Sequence, residues 1–283
     1  MSKEIKNISE KNIALQANVI SLKKISEMGQ KKVCKMKCGE RKGTGFFCDI
    51  IIDDWNLIKV RALITNGHLL NKEDIKPGKK ICFSINDDEQ YYEIEIDNER
   101  KIHLSDVYDV AIIEIKKEDN IKSDSFFEID DNINNPDYDL KNISIYLLHY
   151  PGGKNLSFST GTIKSVDVNE TNHEIYHTCS SANGSAGGPL INSLDYKVIG
   201  IHIGYTKYNL NYGTLLKEPI IEFKNKIKNS DNIIKDNKKK IVDNIEEKNV
   251  EIHKLNDNAN EGNIDEIVIR DKIEDDKNSK EIR

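Results

Sequence analysis

Three short stretches carry residue types able to do chemistry together. LITNGHLL sets His68 directly after an apolar run, where a turn can present an imidazole to a cleft. YDVAIIEI sets Asp109 at the head of a second apolar run, where a shielded carboxylate can hold one tautomer of that imidazole. NGSAGGPLIN is a glycine-rich loop whose N–H groups at Gly184 and Ala186 can converge on one oxygen. A base, a carboxylate that orients it and paired backbone donors are three requirements of acyl-transfer hydrolysis, and a nucleophile is the fourth. The only hydroxyl within the loop itself is Ser185. Taken singly, a histidine after a strand is most often structural and a Gly-Gly-Pro turn is most often a turn. Their joint occurrence, in this order, is what carries information.

Positioning such groups needs a rigid frame, and from about residue 17 to 224 the sequence supplies one. VCKMKC, GTGFFCDIII, KVRALIT, KICFSI, YYEIEI, DVAIIEI, ISIYLLHY, GTIKSV, YHTC, GPLIN and KVIGIHIG are short runs rich in Ile, Val, Tyr and Phe, broken by Gly, Asn, Asp and Pro. That spacing predicts an all-β domain built of barrels. YYEIEI alternates as a half-buried strand does, whereas DVAIIEI is nearly continuous and should lie deeper. KEPIIEFKNKIKN recurs at Ile220, Phe223 and Ile227 and predicts a closing helix.

The 283 residues divide on composition into an N-terminal extension (1–19), the β domain (20–228) and a charged tail (229–283). The tail holds too little apolar surface to offset the cost of ordering its backbone, and is expected to be largely disordered. A net charge of −6 with acidic and basic residues interspersed argues against nucleic-acid binding. No stretch is apolar enough for a signal peptide or a membrane span, so an intracellular location without membrane association is expected. Cys34, Cys38, Cys48, Cys82 and Cys179 are odd in number, and no second pair completes a tetrahedral site with the C-x3-C of Cys34 and Cys38. They read as reduced thiols packed among strands.

GTGFFC, LITNGHLL, YDVAIIEI, LLHYPGGKNLSFSTGTI, SSANGSAGGPLIN and VIGIHIG, in this order over about residues 40–228, resemble the trypsin-like serine proteases. Within that group the chain is similar to the bacterial glutamyl endopeptidases, HYPGG and GIHIG being more discriminating than the triad motifs. The resemblance implies two antiparallel six-stranded β-barrels of the chymotrypsin type with a cleft between them and a C-terminal helix. It assigns His68 as base, Asp109 as its partner, and Gly184 and Ala186 as oxyanion donors. It implies a protein or peptide substrate and no metal or organic cofactor, since the triad chemistry needs none.

Such loops carry the nucleophilic serine directly before Gly-Gly-Pro, and here that place holds Ala186. A slipped register using Ser185 would move the donors by one peptide, about 3.8 Å, well beyond what the chemistry tolerates. Ser185 instead matches the place where trypsins carry an aspartate that pairs with a freed N-terminus. The chain is therefore expected to be inactive yet substrate-binding, either as a disabled endopeptidase or as a natural pseudoprotease that recognises peptides.

The resemblance also places the primary specificity pocket. Ser180 and Ser181 form one wall, and the strand from Gly200 through His202 to Gly204 forms the other. A hydroxyl at Ser181 and an imidazole at His202 can donate to a carboxylate, which predicts cleavage after Glu or Asp; packing of His202 on Tyr205 without selection is the alternative. Lys207 is a candidate for the positive charge that secreted family members take from their N-terminus. His103, His149, His173, His177 and His253 lack such a context and read as surface or packing residues.

Overall fold

The near-continuous apolar run at Val110–Ile113 has a physical cause: its strand is buried on both faces. Val110 and Ile112 enter one hydrophobic cluster, and Ala111 and Ile113 enter another. Period-two alternation of a strand dictates that division. Neighbouring strands split the same way, with Phe46 and Cys48 on one side and Phe47 on the other, and Ala62 and Ile64 opposed to Leu63. One cluster fills the inside of the first sheet. The other lies behind it and runs on into the second sheet and the last helix.

The computed structural model describes residues 22–53, 58–135, 138–168, 173–206 and 210–229. The first sheet comprises β1 (Val33–Cys38), β2 (Arg41–Asp53), β3 (Ile58–Asn66), β4 (Lys80–Ile85), β5 (Gln90–Glu95), β6 (Ile102–Ser105), β7 (Val110–Glu114) and β8 (Phe127–Glu128). Its order is β5-β4-β1-β2-β3-β7-β6, with β8 parallel to β2. The second comprises β9 (Ser144–His149), β10 (Ser157–Val168), β11 (His173–His177), β12 (Pro189–Asn192), β13 (Val198–Tyr205) and β14 (Asn211–Leu215). It closes into a barrel in the order β10-β11-β14-β13-β12-β9.

The chymotrypsin-like pair of barrels is thus present, with one refinement. The second barrel has the expected six strands, whereas the first is an eight-stranded curled sheet whose terminal strands, β5 and β6, do not pair. A side chain bridges that seam. Arg100 donates from Nε to the Glu95 carbonyl at the end of β5 and from Nη1 to the Glu114 carbonyl at the end of β7. Its guanidinium also forms a bidentate pair with Asp119 at 2.7 and 3.0 Å. Both side chains are almost wholly buried, at 4% and 7% exposure. Removing one partner of such a pair strands the other charge out of water. Asp119→Ala should therefore lower unfolding stability by about 3–5 kcal/mol, read as a lower denaturant midpoint; a midpoint equal to the parent's would show that the pair does not hold the seam.

Two helices frame the barrels. Residues 22–32 form α1, which buries Ile25 and Met28. This corrects the expectation that strands begin near residue 17: the apolar side chains here recur at helical spacing over a run too short to stand out. Residues 217–229 form α2, with Ile220, Phe223 and Ile227 buried as the periodicity predicts. The strand expected around YHTC is β11, which ends at His177. The readings made for residues 1–19, Lys207, His253 and the stretch after 229 lie outside the described residues.

Candidate active site

The turn after β3 and the turn before β7 meet through Asp109. Its Oδ1 accepts the backbone N–H of His68 at 2.7 Å, and its Oδ2 lies 2.6 Å from His68 Nδ1. The Asp109 carbonyl in turn accepts the Gly67 N–H at 3.0 Å and the Asn66 amide at 3.1 Å. Asp109 reaches these partners with φ of 51°, a left-handed conformation that aspartate tolerates better than most residues. The carboxylate therefore fixes both the main chain and the ring of His68. With Nδ1 held as the donor, Nε2 is left as the acceptor, the tautomer a general base needs. The hydrogen bond to Asp109, opposed by burial, holds the His68 pKa above its ordinary value.

The loop between β11 and β12 lies across Gly43 from the same turn. Gly43 lies between them: a methyl built there would meet Leu69 Cδ2 at 2.8 Å and the Ala186 carbonyl at 3.2 Å. The loop turns sharply at Gly184 (φ 86°) and Gly187 (φ 91°), where a Cβ would strike Tyr150 O at 2.8 Å and Thr44 O at 1.9 Å respectively. Only glycine fits such contacts. Among the described residues, neither the Gly184 N–H nor the Ala186 N–H has an acceptor.

Ser185 takes no part in that surface. It is fully buried, its Oγ accepts the Ala182 N–H at 2.9 Å, and it lies 2.7 Å from His149 Nδ1. Its hydroxyl is thus engaged with His149 in the interior of the second barrel, and the slipped register has no geometric support.

A family model described as the trypsin-like peptidase domain matches residues 43–201, more than half of the chain. The chain belongs to the trypsin-like peptidase family. Its fold also resembles solved structures at low identity. The Rv3671c protease from M. tuberculosis in its active form is 17% identical, with 69% of this chain and 80% of that chain covered and a TM-score of 0.49. A serine endoprotease from Yersinia pestis is 13% identical over 69% of this chain and 66% of that one, at a TM-score of 0.48. The HtrA-type protease AlgW with a tripeptide is 14% identical over 66% of this chain and 57% of that one, at 0.49. No curated protein matches the chain in sequence.

In this member of the trypsin-like peptidase family the residues expected to wall a specificity pocket lie on β13 and on the segment after β11. The Ser181 hydroxyl engages Asn211 Oδ1 at 2.5 Å, and the Ser180 carbonyl accepts the Ser159 hydroxyl at 2.8 Å. His202 is 1% exposed, and its main chain is tied to the glycine-rich loop by Gly187 N–H to His202 O and His202 N–H to Gly188 O, both 2.8 Å. Its Nδ1 lies 3.2 Å from His177 Nε2, the two rings meeting edge to face. Burial, with repulsion from His177 and His149, pushes the His202 pKa down to about 3, so the imidazole is neutral at pH 7. Gly204 sits opposite Tyr212 in the β13–β14 register, where a Cβ would make only ordinary contact with the tyrosine ring at 3.8 Å.

Sequence reasoning missed His149, His177 and Asn211. His149 and His177 are not idle packing residues: each is buried and holds a member of the loop or pocket. Both lie in strands, as does Asn211 opposite His177 in the β11–β14 register, and nothing local to their sequence names their partners. His103 and His173 fit the plainer reading, one paired with Glu222 and the other packed on Tyr108.

Proposed function

We propose that this chain is a serine-endopeptidase scaffold whose nucleophile position is filled by Ala186, so that it binds protein or peptide substrates without cleaving them. His68 is the base, Asp109 its orienting carboxylate, and Gly184 and Ala186 the oxyanion donors. The observation that carries the reading is the double grip of Asp109 on His68, N–H and Nδ1 together, on a turn separated by Gly43 from a loop with two N–H groups that have no acceptor among the described residues. Family membership supports peptide-bond hydrolysis as the chemistry of the fold. Ala186 itself also favours a second reading, a pseudoprotease that uses the cleft only for recognition.

The same proposal extends to specificity. Ser181, His177 and His202 supply a hydroxyl and two imidazoles, engaged on Asn211 and on each other, that would turn to donate to a substrate carboxylate, and the described residues assigned to the pocket include no carboxylate to attract Lys or Arg. We therefore assign Glu or Asp to the substrate residue before the scissile bond. The test is the Ala186→Ser chain profiled on a peptide library. Cleavage should follow acidic residues, and Ser181→Ala should reduce kcat/KM for them by about ten- to a hundredfold, the worth of one hydrogen bond to a charged group. A revertant that prefers Arg or Leu would remove the specificity assignment while leaving the protease assignment in place.

A further inference from the structure

An oxyanion hole works only if its donors are aimed before the reaction begins. Because a peptide unit is planar, the direction of each N–H is fixed by the carbonyl on the opposite side of the same plane. The N–H of Gly184 shares its plane with the carbonyl of Asn183, which accepts the Gly152 N–H at 2.5 Å. The N–H of Ala186 shares its plane with the carbonyl of Ser185, which accepts the Gly188 N–H at 3.1 Å. Those bonds anchor the planes that precede the two donor residues. Rotation about φ and ψ at Gly184 and Ala186 is arrested only if the planes that follow them are held as well.

Both following planes are held on one side within the second barrel, by the Ser185 N–H on the Ala182 carbonyl at 2.9 Å and the Gly187 N–H on the His202 carbonyl at 2.8 Å, and both are held on the other side by a single residue of the first barrel. Thr44 on β2 donates its N–H to the Ala186 carbonyl at 2.8 Å and its Oγ1–H to the Gly184 carbonyl at 2.8 Å. The same Oγ1 accepts the Tyr150 N–H at 3.0 Å, which ties in the Tyr150–Gly153 turn that anchors Asn183. The Thr44 carbonyl accepts the Thr65 hydroxyl at 2.8 Å, only three residues before His68. Thr44 is fully buried, and its hydroxyl has one hydrogen to give and uses it on Gly184. We propose that Thr44 is a positioning residue that fixes both oxyanion donors from the first barrel, locking the loop of one barrel to the β3 strand that leads to the base. The inference rests on the reading of Gly184 and Ala186 as those donors.

Valine has threonine's shape without its hydroxyl, so Thr44→Val leaves the Gly184 carbonyl and the Tyr150 N–H without a partner while the backbone bond to Ala186 survives. In the Ala186→Ser chain, Thr44→Val should lower kcat by about ten- to a hundredfold, the scale of a misaimed donor. KM should stay within about twofold, and Thr44→Ser, which keeps the hydroxyl, should restore most of the rate. Should the valine variant fail to fold, Thr44→Ala is read in the same way. An unchanged kcat, or a change confined to KM, overturns the proposal. If the Ala186→Ser chain is itself inert, the donor reading fails. Thr44 is then judged on the chain carrying Ala186, by the amide NMR signals of Gly184 and Ala186. Displacement of the Gly184 signal in Thr44→Val, beyond any change at Ala186, with recovery in Thr44→Ser supports the clamp, and an unmoved Gly184 signal overturns it.

Discussion

Ala186→Ser is expected to convert this chain into a working endopeptidase, with a gain in turnover on the order of a millionfold over the parent. The argument is geometric. The change adds one oxygen to a methyl, and the surrounding loop is already shaped by contacts that do not involve the new atom: the Thr44 N–H on the Ala186 carbonyl, the Ser185 hydroxyl against His149, and the glycine turns at 184 and 187. Asp109 already holds His68 in the tautomer that can take a hydroxyl proton. The revertant should hydrolyse an acidic peptide substrate and be labelled by a fluorophosphonate, and His68→Ala added to it should abolish both. A revertant that unfolds at the parent's temperature, yet neither turns over nor labels, would show that these side chains do not form a catalytic unit. The binding-module reading would then hold, and the cleft would serve recognition alone.

How much of this was legible beforehand depends on whether a feature is local. The two apolar faces of β7 follow from a run of four apolar residues, because a strand with one wet face would alternate. The last helix follows from Ile220, Phe223 and Ile227, whose spacing fits 3.6 residues per turn. The pairing of His68 with Asp109 could be anticipated because at each residue a strand, a turn and a polar side chain lie adjacent in the chain. By contrast, Ser185 and His149 are 36 residues apart, His177 and His202 are 25 apart, and Thr44 reaches Gly184 across 140. A buried histidine within LLHY looks like packing until its partner is known. Thr44, inside GTGFFC, looks like a strand residue chosen for β propensity, and only the docking of two barrels gives its hydroxyl a purpose. The same holds for Arg100, whose role in the seam depends on where β5 and β7 end.

Asp109→Asn in the Ala186→Ser chain should cost about ten-thousandfold in kcat while leaving the fold intact. The substitution is isosteric, and the main-chain bonds that build the turn, Gly67 N–H and the Asn66 amide onto the residue 109 carbonyl, do not involve the altered group. Asparagine also tolerates the left-handed φ of 51°. What changes is the number of acceptors. The carboxylate gives one oxygen to the His68 N–H and the other to Nδ1. An amide has a single oxygen, and with that oxygen kept on the main chain its NH2 faces Nδ1. Nδ1 must then accept, the ring proton moves to Nε2, and the base presents a donor where the serine hydroxyl needs an acceptor. The hydrogen bond to Asp109 is also the leading cause of the raised His68 pKa. Its loss should move the acidic limb of the kcat profile to lower pH, because the imidazole stays neutral over a wider range. A fall below about tenfold, or an acidic limb that does not move, would mean that Asp109 only builds the turn and that His68 finds its tautomer without it.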